Sequence, residues 1–314
     1  MDLVLTLVTN PDTRCLDKAD VATARAALAA IGATTAAPDW LAPDLACDVA
    51  FAGAPPPLAQ AAVAAALAHR PIDLHAQPAA GRRKRLLVAD MDSTIVTSET
   101  LDELAEHAGI KEEIAAITRR SINGELDFAT ALRERVAMIA GLPVEALAAT
   151  LARTELTAGA VALVRTMRAG GAHTALVSGG FRYFTRSIAA RCGFDEEAAN
   201  DLVVADGRLT GAVVEPILTR DTKLETLRRL AAARGLAPDD TLAVGDGAND
   251  LPILVAAGLG VAFRAKPIVA AAARCRVDHG DLTALLYIQG YRQAELVSEA
   301  AQPQLWSMRS ATQR

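Results

Sequence analysis

The chain has 314 residues, of which 52% are hydrophobic and 22% are charged, and its net charge is −5. These values indicate one to three domains with a sizeable core, and they give no electrostatic reason to expect a nucleic acid or a membrane surface as a partner. The four cysteines form no CxxC pair, no apolar run reaches the roughly 18 residues of a membrane-spanning helix, and the start lacks a signal peptide's basic residues. A cytoplasmic location is therefore expected.

Residues 1–80 alternate short strand and helix patterns. Strands are predicted at 3–8, 47–51 and 72–75, and helices at 19–31 and 58–69. This order indicates a small α+β domain. The segment 77–81 and the basic run 81–85 that follows it have the composition of a linker, so the basic side chains are expected to be solvated.

Residues 85–290 alternate buried strand patterns with helices, which is typical of an α/β domain with a doubly wound parallel sheet. The predicted strands are 85–89, 173–177, 241–244 and 260–263. Ligands of open parallel sheets bind outside the carboxyl ends of the strands. Asp90, Ser178 and Asp246, which each follow one of these strands, are therefore expected to meet at one edge.

A third region is inserted between the first two strands of this domain. Helices are predicted at 99–108, 111–120, 128–139 and 144–152, whereas a simple crossover needs only a dozen or so residues. The excess predicts a helical cap, at about 98–155, over the carboxyl edge of the sheet. Residues 291–314 are polar and are expected to form a loosely ordered tail.

The acidic residues at this edge predict a magnesium site. Asp90 and Asp92 would repel each other if both were charged and dry, and a divalent cation removes that repulsion. Asp246 can supply a further carboxylate. Asn249 and Asp250 are expected to begin the next helix and to fix the geometry of the acidic cluster.

Anion-binding elements occur at the same edge. Ser178, Gly179 and Gly180 separate a strand from a helix, so a hydroxyl, close backbone approach and a helix N-terminus are available to a negatively charged ligand. Lys223 opens another predicted helix and can pair with phosphate oxygens. With a carboxylate that can attack phosphorus, these residues indicate phosphoryl transfer.

The four motifs together resemble those of the haloacid dehalogenase-like hydrolases. They are DMDST at 90–94, VSGG at 177–180, Lys223, and GDGAND at 245–250. The resemblance covers about residues 85–290 and implies a magnesium-dependent phosphatase. Among these hydrolases the chain is most similar to phosphoserine phosphatases, through Glu99, Phe128 and Arg135.

The resemblance implies a mechanism in which O-phospho-L-serine is hydrolysed to L-serine and phosphate, the last step of serine biosynthesis. Asp90 would form an aspartyl-phosphate, and Asp92 would first give and then take a proton. The implied magnesium ligands are the Asp90 carboxylate, the Asp92 backbone carbonyl and Asp246. Ser178, the Gly179 amide and Lys223 would stabilise the transferring phosphoryl group. Gly180 and Asn249 would also bind the substrate.

The resemblance also assigns the serine end of the substrate. Arg135 would pair with its carboxylate and Glu99 with its ammonium group, while Phe128 would shield the site from water. Two alternatives stay open at this point. One is a phosphatase for another small phosphorylated amino acid, and the other is a non-catalytic sensor of a phosphoamino acid.

The N-terminal region resembles the small ACT-type regulatory domain, which has a ferredoxin-like α+β fold. Three interpretations compete: an amino-acid-sensing module, a dimerisation module and a degenerate remnant. Dimerisation is favoured, so a homodimer is expected.

Overall fold

The computed structural model describes residues 1–122 and 125–297. The first part of the chain forms an antiparallel sheet with two helices on one face. The strands are β1 (Leu3–Val8), β2 (Thr34–Thr35), β3 (Asp39–Ala42), β4 (Ala46–Ala52) and β5 (Asp73–Pro78), and the helices are α1 (Lys18–Ala30) and α2 (Pro56–Ala66). The strand order is β2-β4-β1-β5, and β3 also pairs with β4. This is the split βαβ arrangement of a ferredoxin-like unit, so the predicted class of the N-terminal region is confirmed.

The physical reasons for this unit are visible in its sequence. Leu5 and Leu7 lie on either side of Thr6 and are fully buried against the two helices. Asp17 begins α1 by accepting a hydrogen bond from the backbone N–H of Asp20, whose carboxylate in turn accepts one from the backbone N–H of Asp17. The prediction missed β2 and β3, which are too short to show a period, and ended β5 three residues early.

The second part of the chain builds a parallel sheet of order β13-β12-β11-β6-β7-β8. Its strands are β6 (Leu86–Ala89), β7 (His173–Phe181), β8 (Glu196–Asn200), β11 (Thr241–Gly245), β12 (Leu259–Phe263) and β13 (Cys275–Val277). The flanking helices are α7 (Ala160–Ala169), α8 (Arg182–Cys192), α9 (Arg220–Ala233), α10 (Leu251–Ala256), α11 (Pro267–Ala272) and α12 (Ala284–Ile288). The predicted α/β class with a doubly wound parallel sheet is confirmed.

The strand β6 lies at the centre of this sheet and is buried on both faces. Leu86 and Val88 contribute to the core under α9 and α10, whereas Leu87 and Ala89 contribute to the core under α7 and α8. The chain leaves β6 for β7 on one side and later returns to β11 on the other. The carboxyl end of β6 is thus the point where the strand order reverses, which is where open α/β sheets bind their ligands.

The cap consists of the helices α3 (Thr100–Glu106), α4 (Lys111–Ile122), α5 (Phe128–Met138) and α6 (Glu145–Arg153) between β6 and β7. The four predicted helices are present with ends shifted by a few residues. Asp127 begins α5 by accepting a hydrogen bond from the backbone N–H of Thr130 at 3.0 Å.

A β-hairpin that the sequence reading missed holds the cap. It comprises β9 (Leu202–Ala205) and β10 (Arg208–Val213), inserted between β8 and α9. Leu209 exchanges backbone hydrogen bonds of 2.8 Å with Gly141 and Leu142, and Val144 N–H donates to Gly207 at 3.0 Å. The hairpin therefore joins the cap by backbone pairing as well as by packing against α5.

The basic run before β6 is not the solvated linker end that was expected. Arg82 forms an ion pair with buried Asp48 at 2.6 Å, and only 9% of Lys84 is exposed. Arg83 pairs with Glu295 at 2.9 Å. The expectation was wrong for Arg82 and Lys84, because they lie at the boundary between the two sheets and contact protein acceptors there, whereas Arg83 and Arg85 are exposed.

Polar contacts fix the N-terminal unit on the parallel-sheet unit. The buried carboxylate of Asp73 accepts hydrogen bonds from the backbone N–H groups of Asp278, His279 and Gly280. Gln77 Nε2 donates to the carbonyl of Ile288 at 2.6 Å. Contacts of this kind cross the boundary between the two units. The domain limits at 80 and 85 stay a prediction.

The first residues of the predicted tail are packed against the core. Tyr291 is 4% exposed, and Arg292 pairs with Asp39 at 2.6 Å. Residues 298–314 of the tail lie outside the described residues. None of the four cysteines forms a disulfide, and none of the helices that the structure describes combines the length and apolar character needed to cross a membrane.

Candidate active site

Asp90 and Asp92 occupy a tight loop at the carboxyl end of β6. Asp90 N–H continues the sheet by donating to Val244, and its carboxylate accepts the N–H of Met91 at 2.8 Å. Ser93 has a φ of +54°, a conformation that few non-glycine residues adopt. The turn brings both carboxyl groups to the same edge of the sheet.

A buried lysine joins the two acidic loops. Lys223 Nζ lies 2.7 Å from Asp90 Oδ1 and 2.6 Å from Asp250 Oδ1, and 3% of the residue is exposed. Burial alone would lower the pKa of Lys223, but the combined charges of Asp250 and Asp90 raise this pKa above its ordinary value. The ammonium group is therefore a fixed positive charge beside Asp90.

Three buried carboxylates form a cluster with the geometry of a cation site. Asp90, Asp246 and Asp250 each offer an oxygen atom, and these atoms lie within 4.8 Å of one another. Burial raises the pKa of Asp246 to about 6, a shift that Lys266 opposes. Burial and the charge of Asp250 likewise raise the pKa of Asp90. The cluster thus has more negative charge than Lys223 balances, and its oxygen atoms are ligands that hard divalent cations prefer.

Asp92 has surroundings suited to proton transfer. Its Oδ1 accepts the backbone N–H of Thr100 at 2.9 Å, and its Oδ2 accepts the hydroxyl of Ser178 at 3.2 Å. Burial, followed by the charge of Glu99, raises the pKa of Asp92 to about 6. A carboxyl group with this pKa can hold or release a proton near neutral pH.

The last residues of β7 approach both the core and the cap. The Ser178 hydroxyl accepts the N–H of Gly180 at 2.8 Å, which fixes the turn. A Cβ at Gly179 would lie 2.7 Å from the Phe128 ring, and one at Gly180 would lie 3.0 Å from Asp92 Oδ2. Glycine at both positions thus allows a side chain of the cap and one of the β6 loop to approach the backbone closely.

The cap contributes charged groups on the opposite side of the cavity. Arg135 Nη1 donates to the Thr118 hydroxyl at 3.3 Å, and its Nε donates to the carbonyl of Ala131. Its guanidinium is mostly buried and lies in the field of Asp102, Glu99 and Asp92. The arginine makes no ion pair within the described residues, so its charge is available to a ligand.

These groups line one cavity of about 640 Å³ between cap and sheet. The structure brings together there all but one of the predicted site residues: Asp90, Asp92, Glu99, Phe128, Arg135, Ser178, Gly179, Gly180, Asp246 and Asn249. The exception, Lys223, lies behind the cavity and contacts Asp90.

Sequence reasoning missed several residues of the site. Asp250 was expected to begin a helix and to fix the geometry of the acidic cluster, but its own carboxylate is a member of that cluster. Lys266 lines the cavity, with Nζ 3.7 Å from Asp246. It follows the end of β12, so the strand-end rule that found Asp90 could also have found Lys266. No local pattern indicates that Thr118 contacts Arg135.

Comparison with known proteins gives the family. A family model described as haloacid dehalogenase-like hydrolase matches residues 87–254, more than half of the chain. The chain belongs to the haloacid dehalogenase-like hydrolase family. The matched segment contains the cap and both acidic loops of the cavity.

Several relatives of this chain are named phosphoserine phosphatase. A phosphoserine phosphatase of Streptomyces coelicolor is 44% identical over 215 residues, which cover 68% of this chain and 52% of the relative. A phosphoserine phosphatase of Streptococcus thermophilus is 45% identical over 205 residues, which cover 65% of this chain and 95% of the relative. The predicted resemblance to haloacid dehalogenase-like hydrolases, and among them to phosphoserine phosphatases, is confirmed.

A solved structure extends the similarity to the N-terminal unit. A haloacid dehalogenase-family hydrolase of Salmonella enterica serovar Typhi superposes with a TM-score of 0.80 at 28% identity, covering 91% of this chain and 97% of that one. The chain spans only about half the length of the first curated relatives it matches.

Proposed function

We propose that the protein hydrolyses O-phospho-L-serine to L-serine and phosphate, the last step of serine biosynthesis. One observation carries the proposal: paired carboxyl groups at the end of β6 share a cavity with an unpaired arginine of the cap. The paired carboxyl groups suit phosphoryl transfer through an aspartate, and the arginine suits a substrate that also has a carboxylate.

In the first step, a carboxylate oxygen of Asp90 attacks phosphorus, and the bond from phosphorus to the seryl oxygen breaks. Asp92 gives its proton to the departing oxygen, so serine leaves with a neutral hydroxyl group and an aspartyl-phosphate remains. The pKa of Asp92, raised to about 6, supports this role because the group can be protonated near neutral pH.

In the second step, water attacks the phosphorus of the aspartyl-phosphate. Asp92, now ionised, takes a proton from the water, and the bond between phosphorus and Asp90 breaks to release phosphate. Lys223, the Ser178 hydroxyl and the Gly179 amide are placed to stabilise the charge on the phosphoryl oxygens in both steps. Gly180 and Asn249 line the same part of the cavity.

Magnesium fits the donor set of this site. Asp90, Asp246 and Asp250 offer clustered carboxylate oxygens, and the backbone carbonyl of Asp92 is the further ligand proposed from the sequence. When bound, the ion supplies positive charge that neutralises the cluster and the phosphate. The residues themselves orient the substrate and move the proton.

Recognition of the serine end rests on the cap. Arg135 is proposed to bind the carboxylate through its two-pronged guanidinium, and Glu99 to bind the ammonium group. Ser93 donates to Glu99 at 2.8 Å and so fixes its position. The ring of Phe128, at the start of α5, is proposed to exclude water from the reacting phosphate.

The direct test measures phosphate release from O-phosphoserine with magnesium and with EDTA. We expect activity that needs the metal and that is lost in Asp90→Asn, while the fold of that variant is retained. Lys18→Met, an exposed substitution far from the cavity, is the control. Phosphate release by Asp90→Asn close to the wild-type rate would contradict the assignment of the nucleophile.

The choice of substrate is tested with Arg135→Ala. If the arginine binds a carboxylate, this variant should lose activity on O-phosphoserine much more than on a phosphomonoester without a carboxylate. Equal losses on both substrates would instead favour a structural role for Arg135 and another substrate.

We also propose a cytoplasmic homodimer formed through the N-terminal unit. The cysteines, none of which forms a disulfide, support the location, since thiols persist in a reducing compartment. Light scattering on the full chain should give twice the monomer mass, and cell fractionation tests the location. A monomer at micromolar concentration would contradict the homodimer.

A further inference from the structure

A second cavity, of about 940 Å³, lies between the N-terminal unit and the parallel-sheet unit. It is bounded by α2 and β5 on one side and by the amino ends of β12 and β13 on the other. The active site is at the carboxyl ends of the same sheet. The second cavity is thus separate from the residues to which the proposed reaction gives a role.

A buried ammonium group lines this cavity. Lys84 Nζ donates to the carbonyls of Gly81 at 3.0 Å and Asp239 at 2.7 Å, and the residue is 9% exposed. Both acceptors are neutral, and one of its three N–H donors is unused. Within the described residues, no carboxylate lies at ion-pair distance from the ammonium. A buried cation with no carboxylate in contact is costly, and the more distant charges of Asp239 and Asp240 oppose only part of the lowering of the Lys84 pKa that burial causes.

Two more side chains with buried, unpartnered nitrogen atoms line the same cavity. His75 is 8% exposed, and its Nδ1 is buried without a hydrogen-bond partner. Arg82 uses Nη2 to pair with Asp48, but its Nη1 is likewise buried and unpartnered. Buried polar atoms in folded proteins are nearly always paired. Arg82 Nη1 can only donate, so it lacks an acceptor, and His75 Nδ1 can donate to the same acceptor in the tautomer that protonates this nitrogen.

The acidic residues of the cavity do not supply that acceptor. The carboxylate of Asp73 is saturated by three backbone N–H groups, and that of Asp278 pairs with Arg276 at 2.6 Å. The side chain of Asp239 is exposed to solvent. The wall therefore presents more donors than acceptors.

We propose that this cavity binds a small organic anion, whose carboxylate or phosphate group accepts hydrogen bonds from Lys84, His75 and Arg82. The remaining walls include the aliphatic side chains of Leu67 and Leu254, which suit the carbon part of such a ligand. A charged acceptor would balance the ammonium and satisfy both unpartnered nitrogens at once.

The test observes His75 directly in the full-length wild-type chain. Imidazole proton–nitrogen spectra are recorded during titration with malonate and, separately, with inorganic phosphate, at ionic strength held constant with sodium chloride. The His75 signal is assigned by its loss in His75→Gln. Because the readout is local, binding of either anion in the active site does not affect the conclusion.

We expect a saturable shift of the His75 signal with at least one probe, and the effective probe identifies the head group as carboxylate or phosphate. No saturable shift with either probe would overturn the proposal. In Lys84→Met we expect the dissociation constant to rise about tenfold or more, whereas the exposed control Lys18→Met leaves it unchanged. An unchanged constant in folded Lys84→Met would also overturn it.

Discussion

Lys223 shows how a single side chain connects motifs that are far apart in sequence. Its ammonium group bridges Asp90 after β6 and Asp250 after β11, and all three residues are buried. Removing one member of such a group leaves an uncompensated buried charge, which is costlier than never having buried the group. The residue therefore links the stability of the sheet edge to its chemistry.

Thr118 positions Arg135 from the neighbouring cap helix. Thr118→Val keeps the shape of the side chain but removes the acceptor for Arg135 Nη1, so the guanidinium loses a hydrogen bond that orients it toward the cavity. We expect KM for O-phosphoserine to rise about tenfold, with a smaller change in kcat. Thr118→Ser is the matched control and should restore KM. An unchanged KM in the valine variant would contradict this positioning role.

His75 makes stability depend on pH. Burial and then the charge of Lys84 lower the pKa of His75 to about 4, whereas an unfolded histidine titrates near 6.5. The unfolded chain thus binds this proton more readily, so the stabilisation is complete above pH 6.5 and is lost as pH falls toward 4. Between about pH 7.5 and pH 5 the loss attributable to His75 is about 2 kcal/mol.

Urea unfolding at these two pH values tests the prediction. Wild type should lose about 2 kcal/mol more than His75→Gln over this interval, since other titrating groups are shared by both proteins. Parallel losses in the two proteins would show that His75 is not protonated more readily on unfolding.

The helix α5 and the end of β7 meet through an aromatic ring and a glycine. Gly179→Ala would place a Cβ 2.7 Å from the ring of Phe128, so α5 or its ring must move outward. We expect kcat/KM to fall about 100-fold, because small displacements of a closing element misplace the substrate. The free energy of unfolding should change little, since the ring can rotate away.

A second substitution checks that steric contact is the cause. Adding Phe128→Leu to Gly179→Ala removes the colliding ring atom, so the double variant should lose less activity than the two single losses predict together. Strict additivity of the two losses would contradict contact between these residues as the cause.

The strands of the parallel sheet could be predicted from the sequence, whereas the hairpin that packs on the cap could not. Buried strands followed by acidic or glycine-containing loops predict a common edge, and this rule brought together Asp90, Ser178 and Asp246. The hairpin β9–β10 was missed because its strands are short and largely exposed, and because it pairs with a cap loop distant in sequence. Hydrogen bonds to the backbone of a remote segment produce no periodic pattern in the sequence from which a strand could be predicted.

The same limit applies at the boundary between the two units. The basic run 81–85 resembles a linker in composition, and only the fold shows that Asp48 and Asp239 provide its partners. In the active site, Arg135 could be placed by resemblance, but its contact with Thr118 depends on how α4 crosses α5. The sequence thus predicted which side chains line the active site, but it did not predict the residues that orient them through hydrogen bonds and ion pairs.

On the scale of the whole molecule, Asp73 ties the two units together. Its carboxylate accepts hydrogen bonds from three successive backbone N–H groups, and Asp73→Ala would leave these donors without it. We expect a loss of about 3 kcal/mol or more of interface stability, so that the units no longer unfold together.

Unfolding followed by two probes tests this. In a Trp306→Phe background the fluorescence of Trp40 reports on the N-terminal unit, while far-ultraviolet circular dichroism reports on the whole chain. The two curves should coincide for the parent and for the exposed control Asp12→Ala, and should separate in Asp73→Ala. Coincident curves in Asp73→Ala would show that Asp73 does not couple the units.

The hairpin β9–β10 has a geometric consequence for the cap. The polypeptide crosses between cap and parallel sheet twice at the ends of the helical insertion and twice more at the ends of the hairpin, which is joined to the cap by the backbone of Gly141 and Val144. A body held at four crossings cannot swing freely about a single pivot. Opening of the cavity should therefore move the cap and the hairpin together, over a smaller range than two crossings alone would allow.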